Sequence, residues 1–280
     1  MLRSREAVRL LDDRDLDAAM EVTSRDNVAN VFVASRLESV GADPRRLAAE
    51  LWGYYEDNRL VSLCYAGANL MPVEATPVAA QQFAERARRA GRHCSSLVGP
   101  SEAVETMWSQ LFGAWGPARD VRRQPLMCID RRPAVDPEPG VRRVRIDELD
   151  TLLPACIAMF TEEVGVSPVA ADGGALYRAR VAELIAEGRA FALIEDGVVR
   201  FKAEIGSATA QACQVQGVWT DPALRGNGLG TRGTAAVVDY ALDSIAPVVS
   251  LYVNDYNLPA RRAYERVGFT TVGSFTSVLF

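Results

Sequence analysis

Residues 217–242 read GVWTDPALRGNGLGTRGTAAVVDYAL. A strand ends near Trp219 and Thr220, and Asp221 with Pro222 turns the chain. Arg225, Gly226, Asn227, Gly228, Leu229, Gly230 and Thr231 then lead into an amphipathic helix. Glycines at 226, 228 and 230 remove side chains where a ligand can approach the backbone, and the free N–H groups and positive end of the new helix face the same place. The combination predicts an anion site suited to a pyrophosphate. The GxxxxGK[ST] phosphate loop is excluded, because no Lys-Ser/Thr pair follows; the ribose-binding acid of a dinucleotide fold is not placed in a following parallel strand either.

Asn254, Asp255, Tyr256 and Asn257 follow a strand of alternating apolar residues, and a short helix runs from about 258 to 267. Pro259 suits its first turn and Gly268 its C-terminal cap. Asn257, Arg261 and Tyr264 stand at i, i+4 and i+7, so one face offers an amide, a cation and a phenol.

Outward from these segments the chain repeats an order of elements. Residues 51–67 and 189–206 each place two apolar runs around a tight-turn dipeptide, Asp57-Asn58 and Asp196-Gly197, which predicts two hairpins. The stretch 131–140, RRPAVDPEPG, carries three prolines and reads as a linker. In the second half the expected order is a strand at 141–146, helices at 148–160 and 175–187, strands at 190–195, 198–205 and 210–219, a helix at 228–244, a strand at 248–253, the helix at 258–267 and a terminal pair of strands. The expectation is an α+β chain of two duplicated domains, 1–130 and 141–280, each a mixed central sheet with helices on both faces.

The R-G-x-G-x-G run at 225–230 and N-x-x-A-x-x-x-Y-x-x-x-G-F at 257–269, in that order, resemble the GNAT superfamily of acetyl-coenzyme-A-dependent N-acetyltransferases. The resemblance covers 141–280 well and the first half in outline. It implies acetyl-CoA as co-substrate, with no metal. The pyrophosphate would lie on the N–H groups of 226–231, the pantetheine along Val218, Trp219 and Thr220, and Asn257 would hydrogen-bond the pantetheine arm. Tyr264 would be the general acid near the sulfur. The acceptor would be an amine, on a small molecule or a protein.

Two departures from the family pattern bear on this. Gln214 and Gln216 stand on the strand before the loop where many relatives carry glutamate, and an amide is no proton acceptor, so the candidate bases are Glu204 on the preceding strand, the expected catalytic carboxylate, and Glu162 or Glu163. Glu162 and Glu163, in FTEEVGVSP, are the expected acceptor-binding carboxylates. In the first half, 71–88 read MPVEATPVAAQQFAERAR, with two prolines, an acidic Glu74 and no glycine, and Trp108 aligns roughly with Tyr264. That half is expected to be a degenerate GNAT-like domain. The tandem layout is similar to that of mycothiol synthase, although nothing in the sequence marks a sugar-thiol substrate.

Composition sets the outer bounds. Hydrophobic residues make up 49% of the 280 and charged residues 24%, the range of a folding globular chain. A net charge of -5 argues against a nucleic-acid platform. No apolar run reaches the length of a membrane span, and a cytoplasmic location is expected. The five cysteines form no CxxC pair, and the one histidine, His93, leaves no multi-histidine metal site. Of 31 basic residues Lys202 is the one lysine. The competing function is a non-catalytic acyl-CoA-binding or regulatory module.

Overall fold

A computed structural model describes residues 8–169 and 173–280, so the start of the expected first domain lies outside the described residues. In chain order the first elements are β1 (Val8–Leu10), α1 (Leu16–Thr23), α2 (Val31–Val40), α3 (Pro44–Leu47), β2 (Glu50–Glu56) and β3 (Arg59–Ala66). Then come β4 (Asn69–Val73), α4 (Pro77–Ala90), β5 (Ser96–Pro100), α5 (Ser101–Trp115) and β6 (Asp120–Ile129). The second half holds β7 (Arg142–Arg143), α6 (Leu149–Val164), α7 (Ala175–Ala186), β8 (Ala190–Glu195), β9 (Val198–Ala208) and β10 (Cys213–Thr220). It continues with α8 (Leu229–Ser244), β11 (Val249–Tyr252), α9 (Leu258–Val267) and β12 (Thr270–Leu279).

Both predicted hairpins form. Asp57 and Asn58 have φ of +47° and +65°, Asp196 and Gly197 +50° and +75°. Two successive left-handed residues give a turn whose twist matches paired strands. The turns join β2 to β3 and β8 to β9, antiparallel in both cases.

The chain forms two compact units. One comprises the residues up to Leu126 with Tyr252–Tyr256 and Thr271–Phe280; the other comprises Met127–Leu251 and Asn257–Thr270. In the first unit the strand order is β1-β2-β3-β4-β5-β12-β6. Its strands alternate across the sheet. Trp52, Cys64, Leu70 and Leu97 pack with α4 and α5 residues such as Phe83 and Met107, whereas their neighbours Leu51, Leu63, Met71 and Val98 pack with Ala19, Val33 and Leu37 of α1 and α2. Period-two alternation thus covers both faces with helices.

In the second unit the order is β11-β10-β9-β8-β7. Leu152, Cys156, Val181 and Leu184 of α6 and α7 cover one face, over Ala190, Ala192 and Val199. α8 packs where Gly233 admits the Phe201 ring: a Cβ added there would lie 2.7 Å from it.

The units depart from the expected boundaries in two respects. The proline-rich stretch 131–140 belongs to the second unit, strapped to α8 by Arg132 to Asp239 and Asp243 (both 2.5 Å) and by Arg232 to Glu138 (3.0 Å). The expected terminal pair of strands is one strand, β12, antiparallel to β5 from Phe275 opposite Pro100 to Leu279 opposite Ser96. Gly273 does not take a positive φ, so no turn interrupts it.

A paired carboxylate braces β7 against the start of α6. Glu148 accepts from both Arg142 guanidinium nitrogens (2.7 and 2.8 Å) and from the Arg145 backbone N–H (2.9 Å). Arg142 is the first cause that holds the Glu148 carboxyl down at about 2. Because the folded value lies below the unfolded one, the stabilisation is present above the ordinary carboxylate range and disappears as pH falls toward 2. Glu148→Gln is expected to cost about 1–2 kcal/mol at neutral pH, and urea denaturation should find the difference shrinking between pH 5 and pH 2.

Candidate active site

The parallel pairing of β10 with β11 is short: Cys213 lies opposite Val249 and Gln214 opposite Ser250. Burial changes at the same point, since Cys213, Gln214 and Val215 are buried whereas Gln216 through Thr220 are open in part or whole. On its other side β10 slips against β9 between Gln216 and Trp219, with Gly217 at φ +59°. The half of β10 that carries Val218, Trp219 and Thr220 is therefore an accessible, irregular edge.

Beyond it the anion loop is built as the glycine spacing predicts. Asp221 caps the turn through Ala223 N–H (3.0 Å) and holds Arg200 (2.9 Å). Gly226 and Gly228 have φ of +81° and +79°, which side-chain-bearing residues rarely adopt. A Cβ at Gly226 would meet nothing within 4 Å, and at Gly230 it would press on Thr220 Oγ1 at 3.1 Å. Helix α8 starts at Leu229 with no side-chain cap on its N-terminus. The Thr231 N–H turns back onto the Gly228 carbonyl (3.1 Å), but no side chain caps the N–H groups before it, and with open space at Gly226 the residues present fit the pyrophosphate of coenzyme A.

Arg225 is held in place by two partners. Its Nε donates to the Thr220 carbonyl (3.0 Å) and its Nη2 to Glu162 (2.8 Å), while Trp219 Nε1 donates to the other Glu162 oxygen (3.1 Å). Glu162, expected to meet the acceptor, thus bridges the loop and β10. Its neighbour Glu163 is exposed and raises the Tyr264 pKa through its charge.

Tyr264 lies on α9, 8% exposed, with its ring edge-on to Phe269. Burial first, then Glu163, pushes the phenol well above its ordinary value, so it keeps its proton throughout the neutral range. Asn257 caps α9, its Oδ1 accepting from Ala260 N–H at 3.2 Å. A pantetheine carbonyl would have to be met by its Nδ2.

Glu204 is differently employed from a free base. Its Oε2 lies 3.1 Å from Lys202 Nζ and its Oε1 accepts from Gln216 Nε2 at 2.9 Å. Burial alone would raise the carboxyl, but Lys202 and the Gln216 amide outweigh it and hold it low, which makes it a weaker base. Sequence reading missed the rest of this cluster: Lys202 is 1% exposed and its ammonium also contacts Cys156 Sγ at 3.6 Å. One lysine among thirty arginines was the available signal.

The corresponding place in the first unit is built otherwise. β4 and β5 also pair in parallel over two residues, Asn69 with Ser96 and Leu70 with Leu97. A Cβ at Gly99 would lie 3.3 Å from the Pro72 carbonyl, so the strands stay close beyond that pair. Glu74 Oε1 accepts from Asn30 (2.9 Å), Thr76 caps α4, and Pro77 removes one N–H from its first turn. A carboxylate and a filled cap occupy the position where the second unit has glycines.

Residues 175–269 match the family model described as "Acetyltransferase (GNAT) family". That segment is similar to a GNAT acetyltransferase domain. Residues 49–152 match a domain of unknown function, DUF4081. No curated protein matches the sequence. Among solved structures, a GCN5-related N-acetyltransferase from Sphaerobacter thermophilus is 16% identical, with TM-score 0.59, over 99% of this chain and 96% of that one. A GNAT-family acetyltransferase from Colwellia psychrerythraea is 11% identical, TM-score 0.57, over 98% and 99%. A tandem GNAT protein of the clavulanic acid biosynthesis pathway is 14% identical, TM-score 0.56, over 97% and 98%. At these identities the likeness is one of fold, and it extends over the whole chain. The match over residues 175–269 supports an acyltransferase. Among the described residues no helix is long and apolar enough to cross a membrane, and no group of three or more His, Cys, Asp or Glu could hold a metal ion.

Proposed function

We propose that the chain transfers an acetyl group from acetyl-CoA to an amine acceptor, a small molecule or a protein amine, by direct attack in one step. The observation that carries the reading is the uncapped start of α8 behind Gly226 and Gly228, set at the end of the open half of β10. The loop N–H groups take the pyrophosphate, and the backbone of Val218, Trp219 and Thr220 takes the extended arm. The acceptor, having lost its ammonium proton to solvent, attacks the thioester carbonyl carbon with its lone pair, the C–S bond breaks, Tyr264 gives its proton to the departing sulfur, and the phenolate recovers a proton from solvent. The proton lost by the new amide nitrogen leaves through solvent, since Glu204 is engaged by Lys202. Glu163, exposed and with its charge felt at the Tyr264 phenol, draws a cationic acceptor toward that end of the site. The reading includes a cytoplasmic location, supported by the dispersed, odd set of five cysteines.

It also includes one coenzyme A per chain. Glu74 and the Thr76 cap leave α4 without the donors that a pyrophosphate needs. Calorimetric titration of the full chain with acetyl-CoA should give a stoichiometry of one, and turnover over a panel of amines should release free thiol. Two bound molecules per chain would refute the division of labour between the halves. Binding without turnover on any amine would favour the non-catalytic module, the reading to which the pairing of Glu204 with Lys202 lends weight.

A further inference from the structure

The β9–β10 slip is a two-for-one bulge. Glu204 lies opposite Gln216 and Lys202 opposite Trp219, so Ala203 alone faces both Gly217 and Val218. Lys202 and Glu204, two apart on β9, share the face behind this bulge. A Cβ on Gly217 would stand 3.0 Å from Lys202 Nζ and 3.1 Å from Glu204 Cδ, so the ion pair fills the space a side chain would take. Gln216 folds over Gly206 to reach Glu204, where an added Cβ would overlap its amide. Arg200 holds Asp221 at the far end of the irregular stretch.

Stability alone does not call for such a pair. Replacing a buried ion pair by apolar groups of similar volume is often neutral or stabilising, whereas removing one partner is costly. A guanidinium, planar and larger, would not fit against Gly217, which accounts for a lysine in a chain that otherwise uses arginine. We propose that Lys202, through Glu204, is a positioning residue that holds Gly217 and Val218 out of register and so fixes the backbone of β10 against which the thioester is presented. Its effect on turnover rests on the acetyl-transfer reading; its effect on the bulge does not.

The test uses the full chain with both charges removed, Lys202→Met with Glu204→Leu, so that neither is left buried alone. Amide hydrogen exchange should be about tenfold or more faster over 215–220 and unchanged over 190–195. With acetyl-CoA affinity retained by the loop, kcat should fall about a hundredfold. Exchange over 215–220 equal to wild type, in a folded double variant, overturns the proposal. Should that variant not fold, Lys202→Met with Glu204→Gln keeps the carboxamide shape beside Gln216 and also leaves no charge buried alone, and the same exchange comparison decides. A wild-type chain that moves no acetyl group would sink the functional reading, while the exchange result would still judge the bulge.

Discussion

A Gly228→Val protein that unfolds as cooperatively as the wild type is expected to bind no measurable acetyl-CoA. Gly228 stands at φ +79° as the residue before α8, and a β-branched side chain is a marked outlier there. The substituted backbone must rotate, and the N–H groups of Leu229 and Gly230 turn away from the place they serve. Arg232 Nη1 lies 3.1 Å from the new Cβ, so the valine also displaces a side chain bonded to the loop carbonyl of Asn227. Hydrogen bonds to charged groups contribute about 1.5–3 kcal/mol each, and a micromolar ligand has about 8 kcal/mol in all. Loss of three or four such bonds therefore removes binding from the measurable range. Calorimetry decides it: wild-type affinity in a folded Gly228→Val chain would mean that the pyrophosphate lies elsewhere.

Tyr264→Phe is expected to lower turnover by roughly 10²–10⁴-fold with acetyl-CoA affinity nearly unchanged. The ring keeps its packing on Phe269, so stability should hold, and the missing proton alone separates the variants. The pH profile adds a second readout. Since burial and Glu163 raise the phenol above its ordinary 10.0, its ionisation should leave no falling limb between pH 7 and pH 10 in the wild type. A rate within about threefold of wild type on a verified acceptor would make Tyr264 a core residue only.

The parts legible in the sequence are those in which local chemistry admits one conformation. Asp57-Asn58 and Asp196-Gly197 announce their turns, and glycines at 226 and 228 announce left-handed backbone, because few other residues enter it. Asn257, Pro259 and Gly268 bound α9 for equally local reasons. What escaped the sequence depends on elements distant along the chain. Glu204 was legible as a carboxylate on a strand; its engagement depends on Lys202 on the same face and on a Gln216 twelve residues away. Glu162 looked like an acceptor contact, and its bond to Arg225 spans 63 residues. The linker stretch looked independent because its prolines exclude regular structure, yet Arg132 and Glu138 find partners on α8 about a hundred residues on.

The return of β12 to the sheet of the first unit bears on the order in which this protein can mature at the ribosome. Leu126 closes the first long stretch of that unit, but its last segment, which holds nearly all of the strand beside β5, begins only at Thr271. At roughly 5–20 residues per second, the first unit waits on the order of ten seconds for its missing strand, with one side of β5 unpaired throughout. The residues of the second unit emerge during that interval. The nascent chain thus completes its later half before its earlier one, and a chain lacking residues 271–280 leaves both the edge of β5 and its backbone donors without the strand that covers them.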